Sequence, residues 1–145
     1  MDCVFCQIRD GRLPSRKIAE DERVFAIMDI NPVSEGHVLV LTKAHAETLF
    51  EICEDDLVAA ARLAWRVAKS ISLALGSDGL NLVQSNGRAA FQSVFHFHIH
   101  LIPRWRGDGK GFDWTSIPGD PERIQAAADR IQAALEHKNQ SLAEP

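Results

Sequence analysis

The 145-residue sequence has only three cysteines and no long apolar run. Its first residues also lack a basic region, so we expect no signal peptide, and no segment is long enough to span a membrane. By default these absences favour the cytoplasm, where cysteines rarely form structural disulfides. We therefore expect the cysteines to serve another purpose.

The sequence also lacks an excess of positive charge, since its formal net charge is −4. This balance argues against nucleic acid or a membrane surface as a partner, although it is compatible with a local pocket for a small phosphorylated ligand. There are no repeats, low-complexity runs or linkers. With 46% apolar residues, the composition is typical of one globular domain, which we place at residues 1–145.

Half of the six histidines stand in one short stretch, residues 95–104, where they alternate with large apolar residues. A β-strand sends alternate side chains to opposite faces, so His96, His98 and His100 are predicted to share one face of a strand. A histidine-rich exposed face is the plain alternative. The pattern favours an active-site strand, in which one imidazole is a nucleophile or base and its neighbours bind an anion or a metal.

Cys3 and Cys6 have the two-residue gap that suits two thiolates on one tetrahedral zinc ion. A redox-active dithiol has the same spacing, so the pair alone does not decide between them. Because the third cysteine, Cys53, stands alone, any zinc would need histidine ligands. The candidates are His45, the three alternating histidines, and His37, which by itself is more typical of a hydrogen-bonded structural histidine.

Apolar patterns elsewhere predict four further strands and two helices. Residues 54–75 repeat apolar side chains at spacings of three and four and end at Gly76, as one long core helix does. A C-terminal helix is predicted at about residues 121–137, capped by Asp120. Because strands and helices are segregated, we expect an α+β fold with an antiparallel sheet of about five strands. The further strands are predicted at residues 17–20, 24–28, 37–41 and 80–85.

Two turns carry polar side chains that suit a ligand. Asp29 follows a predicted strand, where it either shapes the turn or holds the hydroxyls of a ribose, and the residues alone favour neither role. Gln92 and Ser93 lie just before the histidine strand. Their amide and hydroxyl donors can be directed at an anion that the histidines hold.

The segment from His96 to Ile102 closely resembles the signature of the histidine triad (HIT) superfamily. Other segments, in the same order along the chain, resemble its zinc-bearing, Hint-like nucleotide-binding branch, and the similarity runs from about Cys3 to Trp114. It implies a HIT-like fold with a core at residues 3–114. The segments that carry the resemblance are residues 3–6, 25–29, 36–45, 86–87 and 92–102.

The resemblance implies a hydrolase or phosphoramidase that attacks the α-phosphorus of a purine nucleotide conjugate and releases a nucleoside monophosphate. His98 would be the nucleophile, with its other ring nitrogen donating to a backbone carbonyl. Ser93 and His100 would complete the catalytic set. Hydrolysis of dinucleoside polyphosphates and a nucleotide-binding adaptor with little turnover are the alternatives. Substrate contacts are implied for Ile27, Asp29, Asn86, Gln92, Ser93, His98 and His100.

The resemblance further implies one structural zinc ion and a homodimer. It assigns the metal to Cys3, Cys6, His45 and His96. One departure concerns the turn before the histidines, where Phe91 stands at a place that is commonly glycine in the family. We therefore expect this turn to have a different shape.

Overall fold

The computed structural model describes residues 3–111, 118–126, 128, 130 and 132. They fall into two compact units that divide after Lys110. The first contains a short helix, five strands, a long helix and one turn of 3₁₀ helix. In chain order they are α1 (Val4–Arg9), β1 (Lys17–Glu20), β2 (Val24–Met28), β3 (Val38–Thr42), α2 (Glu54–Leu75), β4 (Gly79–Val83), the 3₁₀ turn (Arg88–Ala90) and β5 (His98–Arg104).

The five strands form one antiparallel sheet in the order β1-β2-β3-β5-β4. This confirms the predicted α+β class with an antiparallel sheet. In the described part of the chain, no helix combines the length and the apolar character needed to cross a membrane. The expected homodimer stays a prediction.

Strands β2 and β3 are covered on both faces, which explains why their sequences are almost entirely apolar. All five residues of β3 are buried. One face packs on α2 through residues such as Leu63 and Val67, while Phe5 of α1 packs on the other face against Phe25, Ile27, Leu39 and Leu41. The histidines of β5 lie on this second, α1 side of the sheet.

The long helix has the bounds that its periodicity predicted. Glu54, Asp55 and Asp56 occupy its first turn, where carboxylates favour the positive end of the helix dipole, and Gly76 ends it with φ 60°. The short α1 was not predicted. Cys3 caps it, since the Cys3 Sγ accepts a hydrogen bond from the Cys6 backbone N–H at 3.5 Å.

The histidine strand is shorter than predicted, because β5 begins at His98 and leaves His96 in the preceding segment. The backbone N–H of Phe97 donates to the Ala46 carbonyl at 2.7 Å, so this segment pairs with a loop and not with a strand. The second unit is helical at residues 121–126, and Asp120 caps it by accepting from the Glu122 N–H at 2.9 Å. Helical residues also stand at 128, 130 and 132. Other parts of the predicted helix 121–137, and of the predicted core beyond residue 111, lie outside the described residues.

Gly36 precedes β3 at a point where the backbone needs glycine, and its replacement tests the packing of α2 on the sheet. It has φ +82°, and a Cβ there would lie 2.2 Å from Leu75 Cδ1 and 3.3 Å from Pro103 Cγ. Gly36→Ala is expected to lower the free energy of unfolding by about 2–3 kcal/mol, because left-handed strain adds to displacement of Leu75 from its rotamer. Denaturant unfolding measures this loss.

Gly76→Ala is the matched control, since Gly76 has φ +60° but open space around its Cα. That variant carries the backbone strain alone, about 1–2 kcal/mol. Equal losses in the two variants would show that Leu75 yields without cost and that the close approach at Gly36 contributes nothing.

Candidate functional site

Four metal-ligand side chains meet where α1 touches the segment before β5. The Cys3 Sγ lies 3.3 Å from the His96 Nδ1, and the Cys6 Sγ lies 3.5 Å from the His45 Nδ1 and 3.6 Å from the His96 Nδ1. The two imidazole Nδ1 atoms are 3.2 Å apart. All four ligand atoms lie within 4.8 Å of one another, so the structure brings together the two cysteines and two of the candidate histidines.

These separations fit a tetrahedral ion. Zinc bonds of about 2.3 Å to sulfur and about 2.0 Å to nitrogen require N–N separations of about 3.3 Å and N–S separations of about 3.5 Å. The orientation of His96 also fits. Its Nε2 is 2.8 Å from the Thr42 carbonyl, which can only accept a hydrogen bond, so Nε2 carries the proton and the Nδ1 lone pair faces the cysteines.

Burial alone disfavours charge in this cluster. It lowers the pKa of His96 to about 4, and it raises the pKa of the Cys6 thiol, with the hydrogen bond to Cys3 as a smaller contribution. A bound cation reverses the effect of burial on the thiol pKa, because it stabilises the thiolate form. It also binds neutral imidazoles through their free nitrogen lone pairs. The donor set of two sulfurs and two nitrogens is therefore suited to a divalent metal.

A cavity of about 460 Å³ lies beside this cluster, on the α1 side of the sheet. Its apolar wall includes Phe5, Ile27 and Leu39, while its polar wall includes Asp29, His37, Ser93, His98 and His100. A volume of this size suits a small organic ligand. None of the lining residues that the structure describes is lysine or arginine, so an anion held here would meet neutral donors.

His98 is oriented as a nucleophile requires. Its Nδ1 is 2.6 Å from the His96 backbone carbonyl, and because that oxygen only accepts, Nδ1 carries the proton and Nε2 keeps a lone pair. This hydrogen bond agrees with the backbone acceptor that the sequence predicted. Burial lowers the pKa of His98, so the ring is neutral at pH 7. Phe5 packs edge-on against it, with ring centroids 5.2 Å apart.

His100 is oriented by His37, for which the sequence alone favoured a purely structural role. The Val33 N–H donates to the His37 Nδ1 at 3.0 Å, so the His37 proton must be on Nε2. That Nε2 lies 2.9 Å from the His100 Nδ1 and 3.5 Å from an Asp29 carboxylate oxygen. His37 therefore donates to His100, whose own N–H is left on Nε2. The sequence contained one signal for this role, the position of His37. It directly precedes β3 and shares the face of Leu39, on the α1 side of the sheet.

Asp29 has the first of the two roles that its sequence left open, because it shapes a turn. Its Oδ1 accepts from the Asn31 N–H at 2.8 Å, which shapes the turn after β2. The carboxyl group also lines the cavity, where its second oxygen faces His37. A contact with ribose is compatible with this placement and stays a prediction.

Gln92 and Asn86 are not in the cavity wall. The buried Gln92 side chain accepts from the Gly87 N–H at 2.7 Å and donates to the Glu47 carbonyl at 2.6 Å. Asn86 accepts from the Leu49 N–H at 2.6 Å. Both side chains thus hold the turn that precedes Ser93, and direct contact with substrate stays a prediction for them.

A second cavity, of about 540 Å³, lies on the opposite face of the sheet beneath α2. Its walls are mainly apolar, with Glu35, Arg66 and Ser70 among the lining residues. It contains none of the histidines or cysteines discussed above. Although it is the larger of the two, the one hydroxyl among its described lining residues, on Ser70, donates to the Arg66 carbonyl at 3.2 Å. We therefore take the histidine cavity as the candidate active site.

Comparison with known proteins agrees with this geometry. The family model described as HIT domain matches residues 10–107. The chain therefore belongs to the HIT family, as its histidine pattern indicated. It is 38% identical over 136 residues to the adenosine 5'-monophosphoramidase hnt1 of Schizosaccharomyces pombe, covering 93% of this chain and 99% of that protein. The expectation of an enzyme family is confirmed.

Solved structures extend the comparison to the fold. A HIT family protein from Bacillus anthracis has a TM-score of 0.85 and 37% identity, covering 92% of this chain and 96% of its own. A Zn-bound histidine triad family protein from Mycobacterium smegmatis has a TM-score of 0.73 and 36% identity, covering 92% of this chain and 98% of its own. The predicted HIT-like fold is thereby confirmed.

The buried imidazoles make stability depend on pH. Burial lowers the pKa of His100 to about 4, with repulsion from His98 and His37 as smaller contributions. Between about pH 6.5 and pH 4 the unfolded chain binds a proton that folded His100 does not, so stability falls as pH falls, by up to about 3 kcal/mol. His100→Asn removes this group, and urea unfolding over that pH range should show a shallower slope. Identical slopes would mean that His100 titrates normally in the folded protein.

Proposed function

We propose that this protein is a nucleotide hydrolase that cleaves the P–N bond of a purine nucleoside 5'-phosphoramidate and releases the nucleoside monophosphate. The observation that carries the proposal is the His98 ring, whose Nδ1 donates to the His96 carbonyl and whose Nε2 lone pair is therefore free. A neutral imidazole with one nitrogen held in this way is a competent nucleophile near pH 7. The name of the Schizosaccharomyces pombe relative supports an adenosine nucleotide as the substrate.

The reaction takes two steps. In the first, the His98 Nε2 attacks the α-phosphorus, a P–Nε2 bond forms, and the P–N bond to the amine breaks. The leaving nitrogen takes up one proton, for which the Ser93 hydroxyl is the nearby donor that we assign. In the second step, water attacks phosphorus, the P–Nε2 bond breaks, the proton that water releases returns to the Ser93 oxygen, and both His98 and Ser93 are regenerated. His100 Nε2–H, oriented through His37, donates to the phosphoryl oxygens throughout.

We assign the rest of the nucleotide to the cavity walls. The apolar wall with Ile27, Phe5 and Leu39 suits the face of a purine base. Asp29 lies between this wall and the histidines, where its carboxylate accepts hydrogen bonds from ribose hydroxyls. Gln92 and Asn86 act through the turn that they hold, by placing Ser93 at the phosphate.

The charge of the cavity favours a phosphoramidate over a dinucleoside polyphosphate. A phosphoramidate monoester carries about one negative charge, which neutral donors can hold. A polyphosphate chain carries several, and enzymes commonly neutralise such chains with lysine, arginine or a metal ion. Because the described lining residues include Asp29 but no cationic side chain, hydrolysis of a polyphosphate bridge is the less favoured alternative.

We also propose that Cys3, Cys6, His45 and His96 hold one structural zinc ion. Four protein ligands complete a tetrahedral shell, which leaves no position for a substrate or a catalytic water. The ion would tie α1 to the segment that carries the nucleophile. Zinc in the related Mycobacterium smegmatis protein supports this choice of metal.

The assignment of His98 is tested by substitution. His98→Ala should lower kcat for a nucleoside phosphoramidate by at least about 10³-fold, because the covalent route is lost. Ser93→Ala should lower kcat less than His98→Ala does, and its effect should grow as the leaving amine becomes more basic.

Wild-type kcat should fall as pH drops through the His98 pKa, which lies below its ordinary value. Steady-state kinetics with product chromatography measures all three effects.

Rapid quenching followed by mass spectrometry tests the covalent step. A nucleotidyl group that is labile to acid should appear on the peptide containing His98 in the wild type and be absent from His98→Ala. An adduct on another residue, or wild-type turnover by His98→Ala, would contradict the assignment.

The zinc proposal has its own control within the chain. Protein purified without chelator should contain one zinc ion per chain by elemental analysis. Cys6→Ser should lose the metal and lower the melting temperature by roughly 10 °C or more, since metal binding contributes folding free energy. Cys53→Ser, which changes the exposed third cysteine, should retain both the zinc and the melting temperature. Metal-free protein with wild-type stability would contradict a structural ion.

A further inference from the structure

The short helix α1 carries groups that belong to both parts of the site. Its six residues include Cys6 and follow Cys3, so it brings both thiols to the metal-ligand cluster. Val4, Phe5 and Ile8 of the same helix line the histidine cavity. A helix of this length is not stable by itself. Its position on the sheet must therefore be fixed by contacts with the rest of the protein.

Apolar packing and the cysteine–histidine contacts supply part of this attachment. Phe5 and Ile8 pack against buried residues of β2 and β3, but apolar contact has no preferred direction and does little to stop a helix from sliding. The cysteine–histidine contacts become strong bonds only when a metal ion is bound. In the metal-free protein, a directional contact is needed to keep α1 in place.

Arg9, the last residue of α1, makes such a contact. Its guanidinium donates from Nη1 to the Lys43 backbone carbonyl at 2.6 Å and from Nε to the Asp10 Oδ1 at 2.7 Å. A charged donor makes these bonds stronger than neutral ones. In the part of the chain that the structure describes, the bond to Lys43 is the one hydrogen bond from α1 to the sheet or its loops in which no cysteine takes part.

Lys43 is a firm point of attachment for α1. Its backbone N–H donates at 2.7 Å to the carbonyl of Arg23, just before β2. Its Nζ lies 2.9 Å from the Oε1 of Glu20, at the end of β1. Because contacts at two neighbouring strands hold this residue, its carbonyl has little freedom to follow a moving helix.

The same stretch of backbone positions the two histidines of the cluster. Thr42, just before Lys43, provides the carbonyl that orients His96, and His45 follows Lys43 by two residues. The bond from Arg9 to Lys43 therefore connects the helix that carries both thiols with the segment that positions both imidazoles.

We propose that Arg9 is a positioning residue that keeps α1 docked when no metal is bound, so that the cysteines and histidines already face one another. This inference rests on the proposed zinc site. A site that is formed in advance loses less conformational freedom when its ion binds, and it therefore binds the ion more tightly. Without the bond from Arg9, α1 leaves the sheet in the metal-free protein, and zinc has to dock it again.

Substitution of Arg9 tests this role through the affinity for zinc. Arg9→Gln has too short a side chain to reach the Lys43 carbonyl. It should raise the Kd for zinc at least about tenfold, as is typical when a group that supports metal ligands from outside is lost. Competition with a chromogenic chelator measures this Kd.

Arg12→Gln is the matched control. The Arg12 side chain binds the same Asp10, at 3.1 Å, but makes no hydrogen bond to the sheet in the described part of the chain. The two substitutions thus remove the same charge from the same end of α1, and only Arg9→Gln removes the bond to Lys43. Arg12→Gln should keep the wild-type Kd for zinc.

Hydrogen exchange distinguishes loss of helix position from a general loss of stability. The backbone amides of Gln7 and Asp10 donate within α1, each at 3.0 Å. In metal-free Arg9→Gln they should exchange faster than in the metal-free wild type, while the amides of β3 keep their protection. Zinc should restore slow exchange in α1, because the ion then holds the helix.

Three results would overturn the proposal. A zinc Kd in Arg9→Gln equal to that of the wild type would show that the bond to Lys43 does not form the site in advance. Equal rises in Arg9→Gln and Arg12→Gln would show that positive charge near the thiols matters and the bond does not. Faster exchange in β3 as well as α1 would show that Arg9 only stabilises the fold.

Failure of the zinc site itself is distinct from these results. If the wild type binds no zinc in the same titration, the proposed metal site is wrong, and the inference about Arg9 fails with it.

Discussion

The backbone and side chain of His96 join the two halves of the site. Its Nε2–H donates to the Thr42 carbonyl, which sets the ring so that Nδ1 faces Cys3 and Cys6. Its backbone carbonyl accepts the Nδ1–H of His98, which leaves the His98 Nε2 free. One residue thus fixes both the metal-ligand cluster and the tautomer of the assigned nucleophile. A shift of the segment before β5 would disturb the two together, so the proposed zinc ion would affect the candidate active site through this segment.

The second feature of the cavity is that its histidine side chains are uncharged at pH 7. Burial lowers the pKa values of His37, His98 and His100, so each imidazole keeps one donor and one acceptor at pH 7. The hydrogen-bond partners then decide which ring nitrogen carries the proton. The Val33 N–H orients His37, His37 orients His100, and the His96 carbonyl orients His98. An anion in this cavity meets oriented N–H dipoles, which need no reorganisation during the reaction.

Much of the fold was predictable because its elements are locally consistent. The helix α2 has an unbroken apolar period with acidic residues at its start and Gly76 at its end, so its bounds follow from local signals. The strands β2 and β3 are continuous apolar runs because both of their faces are covered. The short α1 has too few residues for a period to show, and its cap is a cysteine, which is not a usual N-cap residue. The start of β5 depended on a loop contact, from Phe97 to Ala46, that no local pattern contains.

The sequence by itself determined the chemistry that is present: three alternating imidazoles, a pair of cysteines two residues apart, and the apolar pattern that buries them. These are local properties, set by spacing along the chain. Only the tertiary structure decided which groups meet, because the partners of His96 are 93 residues away at Cys3 and 54 away at Thr42. It selected His45 over His37 for the cysteine cluster and placed His37 against His100. It also held Phe91 at φ 62°, because the hydrogen bonds from the Phe91 N–H to the Arg88 carbonyl and from the Gln92 N–H to the Gly87 carbonyl outweigh the conformational preference of that residue.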